Sequence, residues 1–88
     1  MAFNLIYGGK ISEPYLVPSN PDRKELFVYC NQESTKPLAI ADKPEHAYHG
    51  VKVAPGTTFI LSDGGEVYVC PPAPSSAGSI EMAVWEII

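Results

Sequence analysis

The chain has 88 residues, 45% of them apolar and 18% charged, with a formal net charge of −4. That length accommodates one domain. Six scattered Lys and Arg leave no basic face for nucleic acid, and no apolar run approaches the roughly 18 residues of a membrane-crossing helix.

A charge fraction below the typical value of about 25%, in a chain too short to hide most of its surface, points to surface covered by a partner. Met1–Tyr7 lacks a basic n-region and a long apolar stretch, so it does not read as a signal peptide, and synthesis in a cytoplasm is expected.

Residues 1–20 carry Phe3, Leu5, Ile6, Tyr7, Ile11, Tyr15, Leu16 and Val17, cut into short pieces by Gly8-Gly9, Pro14 and Pro18. Breakers at that spacing exclude a helix and predict an extended arm with one or two short strands. Apolar residues this close to a terminus need cover. Two paths supply it: the edge of the arm's own sheet, or a neighbouring subunit.

Ser19 to Glu25 is a polar turn made of the residues turns require. Leu26–Asn31 is the clearest strand of the first half. Leu26, Val28 and Cys30 point one way, and Phe27 and Tyr29 the other. Both sides are apolar, which implies burial on both faces or one face against a partner. Asn31–Lys36 reads as a loop and Pro37–Ala41 as a second strand, the two strands together suggesting a hairpin. Asp42–Gly50 is polar and irregular.

Val51 to Cys70 reads as three short strands, about Val51–Val53, Thr57–Leu61 and Glu66–Cys70, rich in β-branched and aromatic residues. Ala54-Pro55-Gly56 suits a type II turn, because Pro pre-sets φ and Gly accepts φ > 0. Asp63-Gly64-Gly65 carries a primed-turn hairpin signal. Pro71–Gly78 is a loop of proline and small residues, unable to form helix or central strand. Ser79–Ile88 alternates, and although an i, i+3, i+4 reading catches some of it, the β-branched residues, Trp85 and the absence of a cap favour a strand.

The pattern as a whole predicts an all-β fold: a small antiparallel β-sandwich or barrel of six to eight short strands. Residues 1–19 form an extended N-terminal arm and residues 20–88 a single β-sandwich domain. There is no internal repeat.

Reactive residue types are present without the spacing that chemistry needs. Cys30 and Cys70 end apolar runs and read as buried thiols. A disulfide between neighbouring strands needs an oxidising compartment. His46 and His49, with Asp42 and Glu45 nearby, invite a metal, yet their spacing matches no strong metal motif. A thiol–imidazole pair is disfavoured by cysteines on buried strands. Gly64-Gly65 lacks the helix that follows a phosphate loop, and no serine stands in a nucleophile elbow. Catalytic, cofactor-binding and metal-binding residues are therefore assigned as none, and an enzyme is not expected. Tyr7, Tyr15, Tyr29, Tyr48, Tyr68 and Trp85 could stack on sugar rings, although core and interface duty is the commoner role of such aromatics.

Two segments, Asn20–Asn31 and Gly50–Leu61 continued by Gly65–Val69, together with the closing Val84-Trp85-Glu86-Ile87, set a polar turn, strand, turn and strand in a particular order. In this order the chain resembles small β-sandwich virion proteins of tailed bacteriophages, among them capsid decoration proteins and minor head or tail components. The resemblance covers roughly Asn20 to Ile88. It implies a non-enzymatic structural protein, made in the host cytoplasm and located in the virion. Its implied partners are itself, as a homotrimer or ring, and virion proteins such as the major capsid protein, with no cofactor, nucleic acid or membrane. A tail or head-tail adaptor component and a carbohydrate-binding β-sandwich module are the alternatives.

Overall fold

The computed structural model describes residues 2–34, 36–71 and 80–88. Among them eight strands follow one another: β1 (Phe3–Ile11), β2 (Tyr15–Val17), β3 (Glu25–Cys30), β4 (Leu38–Ala41), β5 (Val51–Val53), β6 (Thr58–Leu61), β7 (Val67–Cys70) and β8 (Ile80–Ile87). A short 3-10 helix at Pro44–His49 separates β4 from β5. It occupies the stretch expected to be irregular. The loop expected at Pro71–Gly78 lies, Pro71 apart, outside the described residues.

The strands form two antiparallel four-stranded sheets, ordered β1-β8-β3-β6 and β2-β7-β4-β5. Alternation decides which side of each strand turns inward. In β3, Leu26, Val28 and Cys30 are fully buried, while Glu25, Phe27 and Tyr29 point outward. In β8, Ile80, Met82 and Val84 are the buried set. They meet Val17, Leu38, Ile40, Val53 and Val69 of the other sheet in one core. Each such side chain contributes about 1.5–3 kcal/mol when fully removed from water. The result is the expected small antiparallel β-sandwich. Its strand order is that of a jelly roll, a double sheet built from two Greek keys.

Residues 3–17 run along the edges of the chain's own sheets. β1 pairs with β8 from Phe3↔Ile87 to Ile11↔Ile80, with a bulge between Leu5 and Tyr7. β2 pairs with β7. Beyond the strands, the Ala2 N–H donates to the Ile88 carbonyl at 2.7 Å and the Ile88 N–H returns a bond of 2.9 Å.

Two local expectations are corrected. The strands at Leu26–Asn31 and Pro37–Ala41 do not form a hairpin, because β3 and β4 lie in opposite sheets. Nor does Asp63-Gly64-Gly65 make a hairpin. It carries the chain from β6 in one sheet to β7 in the other, and neither glycine has positive φ. Among the described strands only β4 and β5 are both consecutive and paired. The Ala54-Pro55-Gly56 turn has the expected form: Gly56 sits at φ 80° and the Thr57 N–H donates to the Ala54 carbonyl at 3.1 Å. It too passes between sheets.

One polar residue holds an end of the sandwich together. Arg23, expected merely as part of a surface turn, is buried. Its Nε donates to the Asp63 carbonyl at 3.2 Å, Nη1 to the Pro18 carbonyl at 3.1 Å and Nη2 to the Gly65 carbonyl at 2.6 Å. Glu86 Oε1 stands 3.8 Å from Nη1. Three loop carbonyls that face inward thereby gain a charged donor, the stronger kind of hydrogen bond. The loops also touch directly: the Asn20 N–H donates to the Gly64 carbonyl at 2.8 Å.

Candidate functional site

The two sheets differ in what lies over their outer faces. On the β2-β7-β4-β5 sheet the 3-10 helix packs against β4 and β7, and Ala39 and Cys70 of those strands are buried. No described segment covers the outer face of the β1-β8-β3-β6 sheet, and that face is apolar.

Register builds it in rows. Leu5 stands beside Trp85, Trp85 beside Phe27, and Phe27 beside Ile60, so one row crosses all four strands. Toward one end, Phe3, Ile87 and Glu25 form the next row. Toward the other come Gly8, Ala83, Tyr29 and Thr58. The Phe3 ring lies parallel to Trp85, centroids 4.6 Å apart at an interplanar angle of 7°, and meets Phe27 edge-on at 6.0 Å.

Phe3, Leu5 and Ile60 expose 60%, 52% and 52% of their surface. At no more than roughly 200 Å² per side chain, these three residues expose on the order of 300 Å² of apolar surface. That is the size of the largest apolar patch on an ordinary single chain, which is often functional.

The residues singled out from sequence fall elsewhere or play other parts. Cys30 and Cys70 are free and buried. Cys30 faces the core from β3, whereas Cys70 is outside the core cluster on β7. They sit in different sheets, so no neighbouring-strand disulfide joins them. Burial pushes the Cys70 thiol up, with the Lys52 charge opposing. His46 Nδ1 lies 2.7 Å from Asp42 Oδ1 at the exposed surface. This hydrogen bond holds the Asp42 carboxyl below the usual carboxylate range. His49 meets the ring of Tyr48 edge-on at 5.1 Å. Among the described residues no three His, Cys, Asp or Glu side chains converge as a metal site requires.

Of the aromatics considered for sugar stacking, Tyr29 and Trp85 belong to the apolar face. Tyr7 and Tyr15 pack on each other at 4.7 Å beside an open depression of about 230 Å³ also lined by Lys10, Ser12 and Glu13. That volume falls below the roughly 300–1,000 Å³ of small-molecule pockets. Phe3, Leu5, Phe27 and Ile60 were not among the sequence candidates. The signal for Phe27 was the apolar character of both sides of β3, whereas Phe3 and Leu5 lie on β1 and Ile60 on β6.

Fold and surface together describe a small all-β jelly-roll sandwich whose candidate site is an exposed sheet face. Comparison of the chain with protein-family models, with curated proteins and with solved structures finds no match.

Proposed function

We propose that this chain is a non-enzymatic structural subunit of a tailed-bacteriophage virion, acting as a capsid decoration protein that reinforces the shell through oligomeric contacts. The observation that carries the reading is the apolar outer face of the β1-β8-β3-β6 sheet, which no described segment covers. A monomer gains nothing from leaving Phe3, Leu5 and Ile60 in water, whereas a subunit buries them on assembly and recovers their transfer free energy. The strand order adds support, since viral capsid domains use jelly rolls. Lectin domains and cupins share it, so the fold alone assigns no function. The resemblance to small virion sandwiches directs the choice among them.

A carbohydrate-binding role is less well supported. Trp85, the largest aromatic of the face, has a ring surface already occupied by Phe3, and stacking on sugar needs that surface free.

The experiment is a binding assay with shells assembled from the major capsid protein of the same genome. The protein is expected to co-sediment with shells at a fixed ratio and to raise their melting temperature. Recovery with tail parts and not with shells would move the assignment to a tail or adaptor component. Binding to neither would remove the virion reading.

A further inference from the structure

A strand at the edge of a sheet offers a row of backbone N–H and C=O groups to any further strand, and proteins blunt such edges with charge, proline or bulges. Among the described residues the edges are β1 and β6 of one sheet and β2 and β5 of the other. β1 is interrupted by the bulge between Leu5 and Tyr7, and carries Gly9 at φ 146° and Lys10 near its end. β2 lies between Pro14 and Pro18. β5 has Lys52 at its centre. β6 has none of these devices. From Thr57 to Ser62 the chain contains no charge, proline or glycine, and the pairing with β3 runs unbroken from Thr58 to Leu61.

Hydrogen-bond parity decides which groups of β6 face outward. The Cys30 N–H donates to the Thr57 carbonyl at 3.2 Å. Alternation then turns the backbone groups of Thr57, Phe59 and Leu61 toward β3, and those of Thr58, Ile60 and Ser62 away from it. Phe59 and Leu61 pack against the core yet remain only partly buried, so the core side of this edge is also incompletely covered.

We propose that β6 pairs antiparallel with β6 of a second copy, about a two-fold axis at Ile60, joining two four-stranded sheets into one. Ile60 then faces Ile60 of the partner subunit, and Thr58 faces Ser62 of the partner subunit. Each facing pair exchanges N–H···O=C bonds in both directions. On the core side Phe59 lies beside Leu61 of the partner subunit, and each covers the other's open flank. Like therefore meets like at every position, as cross-strand pairs prefer. An axis at Phe59 would instead set Ile60 and Leu61 against threonines. The nearest acid in the proposed register, Asp63, faces Thr57 of the partner subunit, so two chains of charge −4 meet through an uncharged strand. The interface is isologous, and it leaves the apolar outer faces free, side by side.

This inference rests on the reading of the chain as an assembly subunit and fails separately from it. A protein that binds shells but stays monomeric in solution overturns the pairing alone.

Sedimentation equilibrium over a wide concentration range is the test. The wild-type protein is expected to approach twice the 9.5 kDa chain mass. Ile60→Pro removes an N–H that faces away from β3, which an edge strand tolerates. It deletes two reciprocal hydrogen bonds at the axis, so association should weaken by about tenfold or more. Ile60→Thr keeps the N–H and should still associate. Ile60 is 52% exposed, so Ile60→Lys should fold as well, and like charges facing each other across the axis should weaken association too. Unchanged circular dichroism would confirm the fold of each variant.

Register is read by cross-linking. Ile60→Cys should form a disulfide-linked dimer on mild oxidation. Thr58→Cys should not, because its two copies stand roughly 13 Å apart along the strands. A wild-type monomer at millimolar concentration overturns the proposal, as does a trimer. So does a dimer indifferent to Ile60→Pro and Ile60→Lys, or a Thr58→Cys variant that links as readily as Ile60→Cys.

Discussion

Replacing Arg23 by alanine should be among the most damaging single changes to this fold. The Arg23 side chain has 0% exposure and its Glu86 partner 14%. The substitution strips the Pro18, Asp63 and Gly65 carbonyls of the donors they now have at 3.1, 3.2 and 2.6 Å. Hydrogen bonds to a charged group contribute about 1.5–3 kcal/mol each. The loops will relax toward water, so the three do not simply add. With partial relaxation, losing the donors of three inward carbonyls sets the expected loss at about 3–5 kcal/mol.

A chain of this length has about 4–13 kcal/mol of stability in all, at 0.05–0.15 kcal/mol per residue. Arg23→Ala should therefore lower the melting temperature by about 15 °C or more, or leave the chain unfolded at 37 °C. Arg23→Lys keeps the charge, but one ammonium cannot reproduce the planar fork, so it should fall between the two. Glu86→Gln should cost less than about 1 kcal/mol, because the ion pair is long at 3.8 Å and the carboxylate is not among the hydrogen-bonded partners of the guanidinium. Urea unfolding followed by circular dichroism gives all four stabilities. A loss below about 1 kcal/mol for Arg23→Ala, or a larger loss for Glu86→Gln than for Arg23→Lys, would refute the argument from loop carbonyls.

Three further outcomes are expected. Gly64→Ala should destabilise by more than Gly56→Ala: a Cβ at Gly64 would stand 2.4 Å from the Asn20 carbonyl oxygen, a backbone atom that cannot step aside, whereas Gly56 bears the cost of φ 80°, on the order of 1 kcal/mol. The nearest atoms to a Cβ at Gly56 are Gln32 Cβ at 3.4 Å and Cα at 3.8 Å, both at ordinary contact distance, and thermal melts of the two variants decide the order. Asp42 should titrate below an ordinary aspartate in the folded protein. Because its folded value is depressed, its contribution to stability is present above the unfolded pKa and disappears as pH falls through the folded one. Carboxyl NMR should show the low midpoint, and His46→Ala should restore it. Cys30 and Cys70, both buried, should react negligibly with a thiol reagent in the native protein at pH 8, and both should react after denaturation. Fast native reaction at either would contradict its burial.

Strand identity was readable from local chemistry. β-branched and aromatic residues at alternating positions suit a pleated, half-buried surface wherever they occur, so Leu26–Cys30, Val51–Val53 and Ile80–Ile87 could be placed from their own residues. The type II turn at Ala54–Thr57 was equally local, since Pro and Gly set the two central dihedrals themselves. Strand partnership belonged to the folded molecule. β1 and β8 come from opposite ends of the chain and pair along their whole length, and no residue near either one encodes that meeting. The two mistaken hairpins share this cause: a tight turn reverses the chain, but only packing determines whether the next strand continues the same sheet or crosses the core. Arg23 followed the same rule, because a turn residue becomes a buried clamp only when loops distant in sequence bring carbonyls around it. The outer face was half visible. That β3 and β8 carry apolar residues on both sides could be read directly, but a period of two assigns residues to alternate sides without saying which side meets the core. The opposite sheet settled that by covering Leu26, Val28, Met82 and Val84, which left Phe3, Leu5, Phe27, Ile60 and Trp85 on the outer face.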